Sequence, residues 1–138
     1  VESKEKYKFN LYCNILMNKV EEGWIMFLDD DDKLTHNKVL SMLNENIKSE
    51  DSLYMWKFLR PDNIIYPKNV NHIKLGELCS CGFIFNNKHK DKSRWPDKQC
   101  GDFSFFNELV KNYSFSKIFI NNILTQTINE NIIGNFGN

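Results

Sequence analysis

The chain has no excess of charge, no long apolar run and no leader-like start, and each absence removes a class of function. Its 138 residues carry 18 basic and 18 acidic side chains, so no net field favours nucleic acid or an anionic membrane. Every apolar run falls short of the roughly 20 residues that cross a bilayer. Residues 1–6 are charged and lack the apolar segment of a secretory signal. These features predict one cytoplasmic domain, residues 1–138, with no nucleic-acid partner and no transmembrane segment.

Several familiar ligand motifs are also missing. No Gly-rich loop is present, which excludes a P-loop or Rossmann phosphate site. An EF-hand loop that starts at Asp29 needs Gly at its sixth position and Glu at its twelfth, but Leu34 and Leu40 stand there. Cys79 and Cys81 form a C-x-C pair, without the C-x-x-C spacing or the second pair of a zinc ribbon. The four cysteines are therefore predicted to be ordinary reduced thiols.

The most informative segment is an apolar run that ends in consecutive carboxylates. Residues 24–28, Trp-Ile-Met-Phe-Leu, predict a buried strand, and residues 29–32 are all aspartate. Like charges crowded at a strand end need a compensating cation or strong donors. The carboxyl ends of strands in open α/β sheets are also where ligands bind. A hard divalent cation, with phosphate oxygens completing its shell, suits this pattern; the alternative is an acidic turn that caps the next helix.

Alternation along an extended chain divides these carboxylates into two pairs. Asp29 and Asp31 are predicted to project to one side, where both can approach one Mn²⁺ or Mg²⁺. Asp30 and Asp32 are then expected to face the other way, toward a ribose, a sugar hydroxyl or the first turn of the next helix.

Asp102 is the second candidate for chemistry, because it follows Gly101 at the predicted start of a helix. The positive end of the helix dipole favours an ionised carboxylate, and such a group in a cleft is the usual base for a hydroxyl. The alternative is a helix cap, and the dipole lowers basicity unless burial restores it.

Residues 88–94 form a basic loop that either contacts a diphosphate or is simply solvated. Trp95 either stacks on a sugar ring or belongs to the core.

The rest of the chain alternates between helical and extended patterns. Helices are predicted over residues 7–20, from a cap at Thr35 or Asn37 to about Ile47, and over 102–112. Strands are predicted over residues 24–28, 52–59, 64–66, 81–86 and 117–120, and the tail at 133–138 is predicted to be mobile. The buried helix positions are expected to be Val39, Leu40, Leu43 and Ile47, then Phe103, Phe106, Leu109 and Val110. This order predicts an α/β domain of three layers, with helices on both faces of the sheet.

The order of features resembles the centre of the GT-A glycosyltransferases, especially the family-2-like inverting enzymes. The resemblance covers roughly residues 8 to 112. It rests on Asn14 within a helix, on Glu22-Gly23, and on the apolar run that ends in residues 29–32. The later strand at 82–85 and the Gly-Asp-Phe at 101–103 resemble the acceptor-side segment and the acidic motif of that family. Similar short enzymes occur in large DNA viruses, for which the location would be the host-cell cytoplasm.

The resemblance implies a fold, an activity and a set of roles. The fold is a GT-A-like (nucleotide-diphospho-sugar transferase) mixed sheet. The activity is transfer of a sugar, with inversion, from a nucleotide-sugar donor to a hydroxyl of a glycan or other acceptor. Asp29 and Asp31 hold Mn²⁺ or Mg²⁺, and Asp102 is the catalytic base. Asn14 and Asp30 lie on the donor side, and Trp95 lies beside the acceptor.

The chain departs from the family pattern at its start. The family opens with a strand, a Pro-x-x-Asn-like turn, a helix and a second strand that hold the nucleotide base, but only residues 1–23 precede the strand predicted at 24–28 here. The first nucleotide-binding strands are therefore expected to be missing. Either the chain is a fragment, or another chain supplies the nucleotide half, or the protein is inactive. An exposed apolar sheet edge, and dimerisation or a partner chain, are expected in consequence.

Two other functions stay open from the residues alone. A haloacid-dehalogenase-like phosphatase also places D-x-D after an apolar strand and would use Asp29 as its nucleophile. Such enzymes usually carry Thr or Val two residues after the second Asp, where this chain has Lys33. A non-catalytic carbohydrate-binding remnant would keep the fold without turnover.

Overall fold

A computed structural model of the chain describes residues 7–112 and 116–128. The predicted tail at 133–138 lies outside these residues. The helices are α1 (Lys8–Asn18), α2 (Val39–Asn46) and α3 (Gly101–Asn112), with short 3₁₀ helices at Ser80–Gly82 and Asn87–Lys92. The strands are β1 (Trp24–Ile25), β2 (Asp32–Leu34), β3 (Leu53–Leu59), β4 (Ile65–Tyr66), β5 (Phe83–Asn86) and β6 (Lys117–Thr127).

The described strands form one mixed sheet in the order β1-β5-β3-β6-β2, and β4 pairs with the end of β3. Strands β3 and β6 run parallel, whereas the other neighbours are antiparallel. The predicted α/β class is therefore confirmed. Strand β1, which leads into the acidic run, lies at one edge of this sheet.

Alternation along β3 builds a core on each face of the sheet. Leu53 and Met55 pack in a cluster that includes residues of α1 and α3, whereas Tyr54 and Trp56 pack in a second cluster with α2. All four side chains are at most 1% exposed. Burial of each contributes about 1.5–3 kcal/mol, which fixes the register of β3 and gives helices on both faces.

The strand predicted at residues 24–28 is shorter than expected, but its side chains still alternate between the two faces of the sheet. Pairing with β5 covers Trp24 and Ile25 only. Trp24 and Met26 nevertheless pack in the α2 cluster, and Ile25 and Phe27 pack in the opposite one. The chain thus alternates between the two cores through residue 27, and ladder pairing stops early at the sheet edge.

Strand β6 is much longer than the predicted 117–120. Ile120 stands opposite Trp56, but Ile123 stands opposite Lys57, so the pair Asn121-Asn122 is passed over in an irregularity of the ladder. A bulge of this kind absorbs polar residues without ending the strand. The two asparagines indicate a strand end in the sequence, whereas in the structure they occupy the bulge.

Three details of the helices were predicted wrongly. Leu40 is 61% exposed, because it lies about 100° around the helix from the buried Val39. Phe105 is fully buried although it was not among the predicted core positions. Lys38 stands at the N-cap of α2 without a side-chain hydrogen bond, so neither Thr35 nor Asn37 is the cap. The Thr35 hydroxyl instead donates to the Ile123 carbonyl at 2.9 Å.

Candidate metal centre at the acidic turn

Residues 29–32 form a tight turn, which changes which carboxylates converge. The Asp32 amide donates to the Asp29 carbonyl at 3.0 Å, and the Asp29 amide donates to Asp32 Oδ2 at 3.3 Å. Carboxylate oxygens of Asp29, Asp31 and Asp32 lie within 4.8 Å of one another. The predicted approach of Asp29 to Asp31 is present. The predicted separation of Asp32 from them is wrong, because alternation holds only for an extended chain, and Asp30 is the exposed one.

Burial and mutual repulsion act together on this cluster, which we call the acidic turn (residues 29–32). Burial, followed by the charge of Asp29, raises the pKa of Asp32 to about 7. Burial, followed by the charge of Asp31, also raises the pKa of Asp29, although the Ser80 hydroxyl donates to Asp29 Oδ2 at 3.3 Å and opposes that rise. A divalent cation would relieve this repulsion, and the oxygen donors are those that Mg²⁺ and Mn²⁺ prefer.

Asp102 comes from α3 and lies within the electrostatic field of the acidic turn. It is half-buried as the second residue of the helix. Burial raises its pKa to about 6, and the charge of Asp29 adds to the rise. A hydrogen bond from the Phe103 amide to Asp102 Oδ1, at 2.7 Å, opposes it. Burial thus outweighs the hydrogen bonds that the helix start offers, and the carboxylate is more basic than an ordinary aspartate.

Asn14 and Trp95 contact each other, and both lie in the core. Asn14 is 2% exposed; its Nδ2 donates to the Trp95 carbonyl at 2.9 Å, and its Oδ1 accepts from the Trp95 amide at 2.8 Å. Trp95 is also 2% exposed and stacks on Phe105 with 4.9 Å between ring centroids. The predicted donor contact of Asn14 and acceptor contact of Trp95 do not fit these positions. Trp95 instead belongs to the core, which is the other alternative that the sequence left open for it.

Sequence reasoning missed Asn10, which repeats the role of Asn14 one helical turn earlier. Asn10 is 3% exposed, and its Nδ2 donates to the carbonyls of Pro96 and Lys98 at 2.9 and 2.8 Å. Two asparagines at i and i+4 share one face of a helix, and that spacing is the signal that was available. Together they hold the loop 95–98 that leads into α3 and Asp102.

The basic loop is held by contacts within the fold. Lys88 pairs with Asp51 at 2.6 Å and with Glu50 at 3.5 Å. Lys90 Nζ donates to the Val20 carbonyl at 2.8 Å. These two lysines therefore support the 3₁₀ helix at Asn87–Lys92, and the diphosphate alternative for this loop has no support from them.

An open groove of about 500 Å³ runs from α1 to the acidic turn. Tyr12, Leu16 and Leu28 line it, and these three side chains are 59%, 60% and 45% exposed. Asp29 and Asp30 lie at its end. The groove is thus mainly apolar, lies beside the edge strand β1, and opens onto carboxylates.

A second group of potential ligands lies against Asp32. Cys79 precedes the 3₁₀ helix at Ser80–Gly82, Cys81 lies within it, and the two Sγ atoms are 2.7 Å apart. One ligand atom each of Cys79, Cys81 and Asp32 lies within 4.8 Å of the others. The thiol contact with Cys81, followed by burial, raises the pKa of Cys79 well above its ordinary value.

No protein-family model matches the chain, and no curated protein matches it. Among residues 7–112 and 116–128, no helix is long and apolar enough to cross a membrane.

Proposed function

We propose that the chain is a metal-dependent glycosyltransferase domain of GT-A-like architecture, which transfers a sugar from a nucleotide-sugar donor to a hydroxyl acceptor. One observation supports this proposal above the others. Three carboxylates converge where an apolar edge segment leaves the sheet, and the charge of one of them, Asp29, acts on a fourth, Asp102, at the start of α3. Metal-assisted displacement needs an oxygen-rich cation site and a separate base, and this arrangement supplies candidates for both.

The cation would be held by Asp29, Asp31 and Asp32. Their oxygens lie within 4.8 Å of one another, a spacing that suits one hard cation. When bound, Mn²⁺ or Mg²⁺ supplies a Lewis acid that neutralises a diphosphate leaving group. Asp32 adds a ligand to the two that the sequence predicted. Ser80 orients Asp29 through its hydroxyl.

The base would be Asp102. A carboxylate with a pKa of about 6 is ionised at neutral pH and is still more basic than an ordinary aspartate. These are the properties that general-base catalysis favours. Asp102 would take the proton of the acceptor hydroxyl as the acceptor attacks, and one such displacement inverts the anomeric centre.

The donor would lie along the groove between α1 and residues 25–30, with Asp30 exposed at its end. The edge strand β1 and the exposed apolar side chains of the groove offer a surface for further protein on the nucleotide side. A second copy of the chain or a partner chain would fit that surface.

Calorimetry with Mn²⁺ tests the metal site without knowledge of the donor. Wild type should bind one Mn²⁺, and Asp31→Ala should lose it. Asp30→Ala is the matched control, because it removes a carboxylate from the same turn but from outside the converging group. Equal binding by wild type and Asp31→Ala would contradict the metal assignment.

A second assay distinguishes the transferase from the phosphatase and from a non-catalytic domain. Wild type with Mn²⁺ is incubated with a panel of nucleotide sugars and with a simple phosphate ester. Release of nucleoside diphosphate is expected for at least one donor. Phosphate release that is lost in Asp29→Asn would favour the phosphatase, and Mn²⁺ binding without either reaction would favour a non-catalytic domain.

A further inference from the structure

The segment Cys79-Ser80-Cys81 lies against the acidic turn and contacts two of its carboxylates. Ser80 donates to Asp29, and ligand atoms of Cys79, Cys81 and Asp32 lie within 4.8 Å of one another. The Cys81 amide also donates to Cys79 Sγ at 3.3 Å. Two thiols and a carboxylate are therefore gathered at one point from separate parts of the chain.

We infer that Cys79, Cys81 and Asp32 form a second cation site, selective for a thiophilic ion such as Zn²⁺. Sulfur ligands select such ions, whereas the acidic turn offers oxygen alone. Two sulfurs bound at about 2.3 Å to one tetrahedral ion stand about 3.8 Å apart. The thiols are 2.7 Å apart, so Cys79, which is partly exposed, must rotate outward as the ion enters and the thiol protons leave to solvent.

The surroundings of Cys81 are rigid, as a metal site requires. The Cys81 carbonyl accepts hydrogen bonds from Trp56 Nε1 at 3.1 Å and from the Thr125 hydroxyl at 3.0 Å. Both donors are fully buried in the sheet. Asp32 is held in β2 by pairing with β6. The main chain at Cys81 and Asp32 is thus held by the sheet before an ion arrives, while their side chains keep their rotamer freedom.

Asp32 belongs both to the thiol group and to the acidic turn, so ions at the two sites should compete for its carboxylate. This coupling rests on the metal site of the proposed function. A thiophilic ion on Cys79 and Cys81 draws the Asp32 carboxylate away from the acidic turn. Binding of Mn²⁺ to the acidic turn should therefore weaken when the thiolate site is filled, and the reverse must hold by linkage.

Cadmium is the probe, because thiolate-to-cadmium charge transfer absorbs in the ultraviolet and needs no activity of the protein. Reduced wild type titrated with Cd²⁺ should develop this band at about one equivalent. Cys79→Ser and Cys81→Ser should lose it. Cys100→Ser, which changes a thiol outside the group, should keep it. Asp32→Asn should keep a band but bind Cd²⁺ at least about tenfold more weakly.

A measurement on wild type covers the case in which a variant fails to fold. Cd²⁺ should protect Cys79, but not Cys100, from a small alkylating reagent, as read by peptide mass mapping. A band that survives in the Cys79→Ser,Cys81→Ser double variant, or equal alkylation of Cys79 with and without Cd²⁺, would overturn the site. Absence of the band in fully reduced wild type would overturn it as well.

Discussion

The Asn14 side chain makes two hydrogen bonds to the main chain of Trp95: its Nδ2 donates to the Trp95 carbonyl at 2.9 Å, and its Oδ1 accepts from the Trp95 amide at 2.8 Å. The pair ties α1 to the loop before α3, and Asn10 adds two further bonds to that loop. The position of Asp102 relative to the acidic turn therefore depends on a helix that contributes no carboxylate to the site.

Asn14→Ala should destabilise the chain, because it leaves the buried amide and carbonyl of Trp95 without partners. Loss of both bonds should cost about 2–4 kcal/mol of the free energy of unfolding, measured by urea denaturation. Asn18→Ala, at an exposed position of the same helix, should cost far less. A variant that keeps wild-type stability but binds nucleotide sugar poorly would restore the donor role predicted for Asn14.

Gly101→Ala should also be destabilising, for a steric reason. A Cβ at residue 101 would overlap the Asn10 amide, which could move only by giving up its hydrogen bonds to two backbone carbonyls. The expected cost is about 1–3 kcal/mol. Gly82→Ala is the matched control, because its Cβ would meet Phe58 at an ordinary 3.8 Å. Similar stabilities of the two variants would contradict the tight contact at residue 101.

Asp102 should make the stability of the metal-free chain depend on pH. Its pKa is raised from 3.8 to about 6, so the folded chain keeps a proton there that the unfolded chain has released. The stabilisation is therefore full at low pH and is lost as the pH rises through about 6. Asp102→Asn should show a smaller loss, because Asp29 and Asp32 keep their raised pKa values, and it should be the more stable protein at pH 8, by about 1–3 kcal/mol. Parallel pH profiles of wild type and Asp102→Asn would argue against a raised pKa.

If Asp102 is the catalytic base, Asp102→Asn should reduce sugar transfer at least about 10²-fold. Donor binding should change little, because the substitution keeps the shape of the side chain. Asp91→Asn is the control, since Asp91 is an exposed aspartate outside the site. Transfer near the wild-type rate in Asp102→Asn would reduce Asp102 to a structural role.

The groove beside β1 predicts association. Exposed apolar side chains on α1 next to a sheet edge favour dimerisation or binding of a partner chain. Sedimentation velocity should show self-association of wild type that is lost in Leu16→Lys and kept in Leu75→Lys, which changes an equally exposed leucine outside the groove. A monomer that binds a nucleotide sugar with micromolar affinity would show that no further protein is needed.

Local sequence patterns predicted the strands whose side chains are buried on both faces of the sheet. Strands β3 and β5 are apolar except at Lys57 and Asn86, and such runs are recognisable without knowledge of their partners. Strand β2, with Asp32 and Lys33, was not predicted, because only its pairing with β6 makes it a strand. The extent of β6 was missed for the same reason, since a bulge at Asn121-Asn122 is a property of the ladder and not of the local sequence.

In the candidate site, too, local sequence signals identified some residues, whereas the roles of others depend on tertiary contacts. Asp29, Asp31 and Asp102 were selected from their places at a strand exit and a helix start, which are local signals. The inclusion of Asp32 depends on the turn that closes through the Asp29 carbonyl, and sequence alternation cannot reveal that turn. Asn14 was selected by resemblance, and its partner lies in a loop that no local pattern connects to it.

The pairing of β2 with β6 bears on how the protein is made. Asp32 stands opposite Thr127, near the end of the last described strand. A ribosome therefore releases all four aspartates of the acidic turn long before it releases the strand that holds one of them in place. The hydrogen bond from the Asp32 amide to the Asp29 carbonyl needs no later residue, but the pairing that holds Asp32 in the sheet forms only after residues 117–127 have emerged.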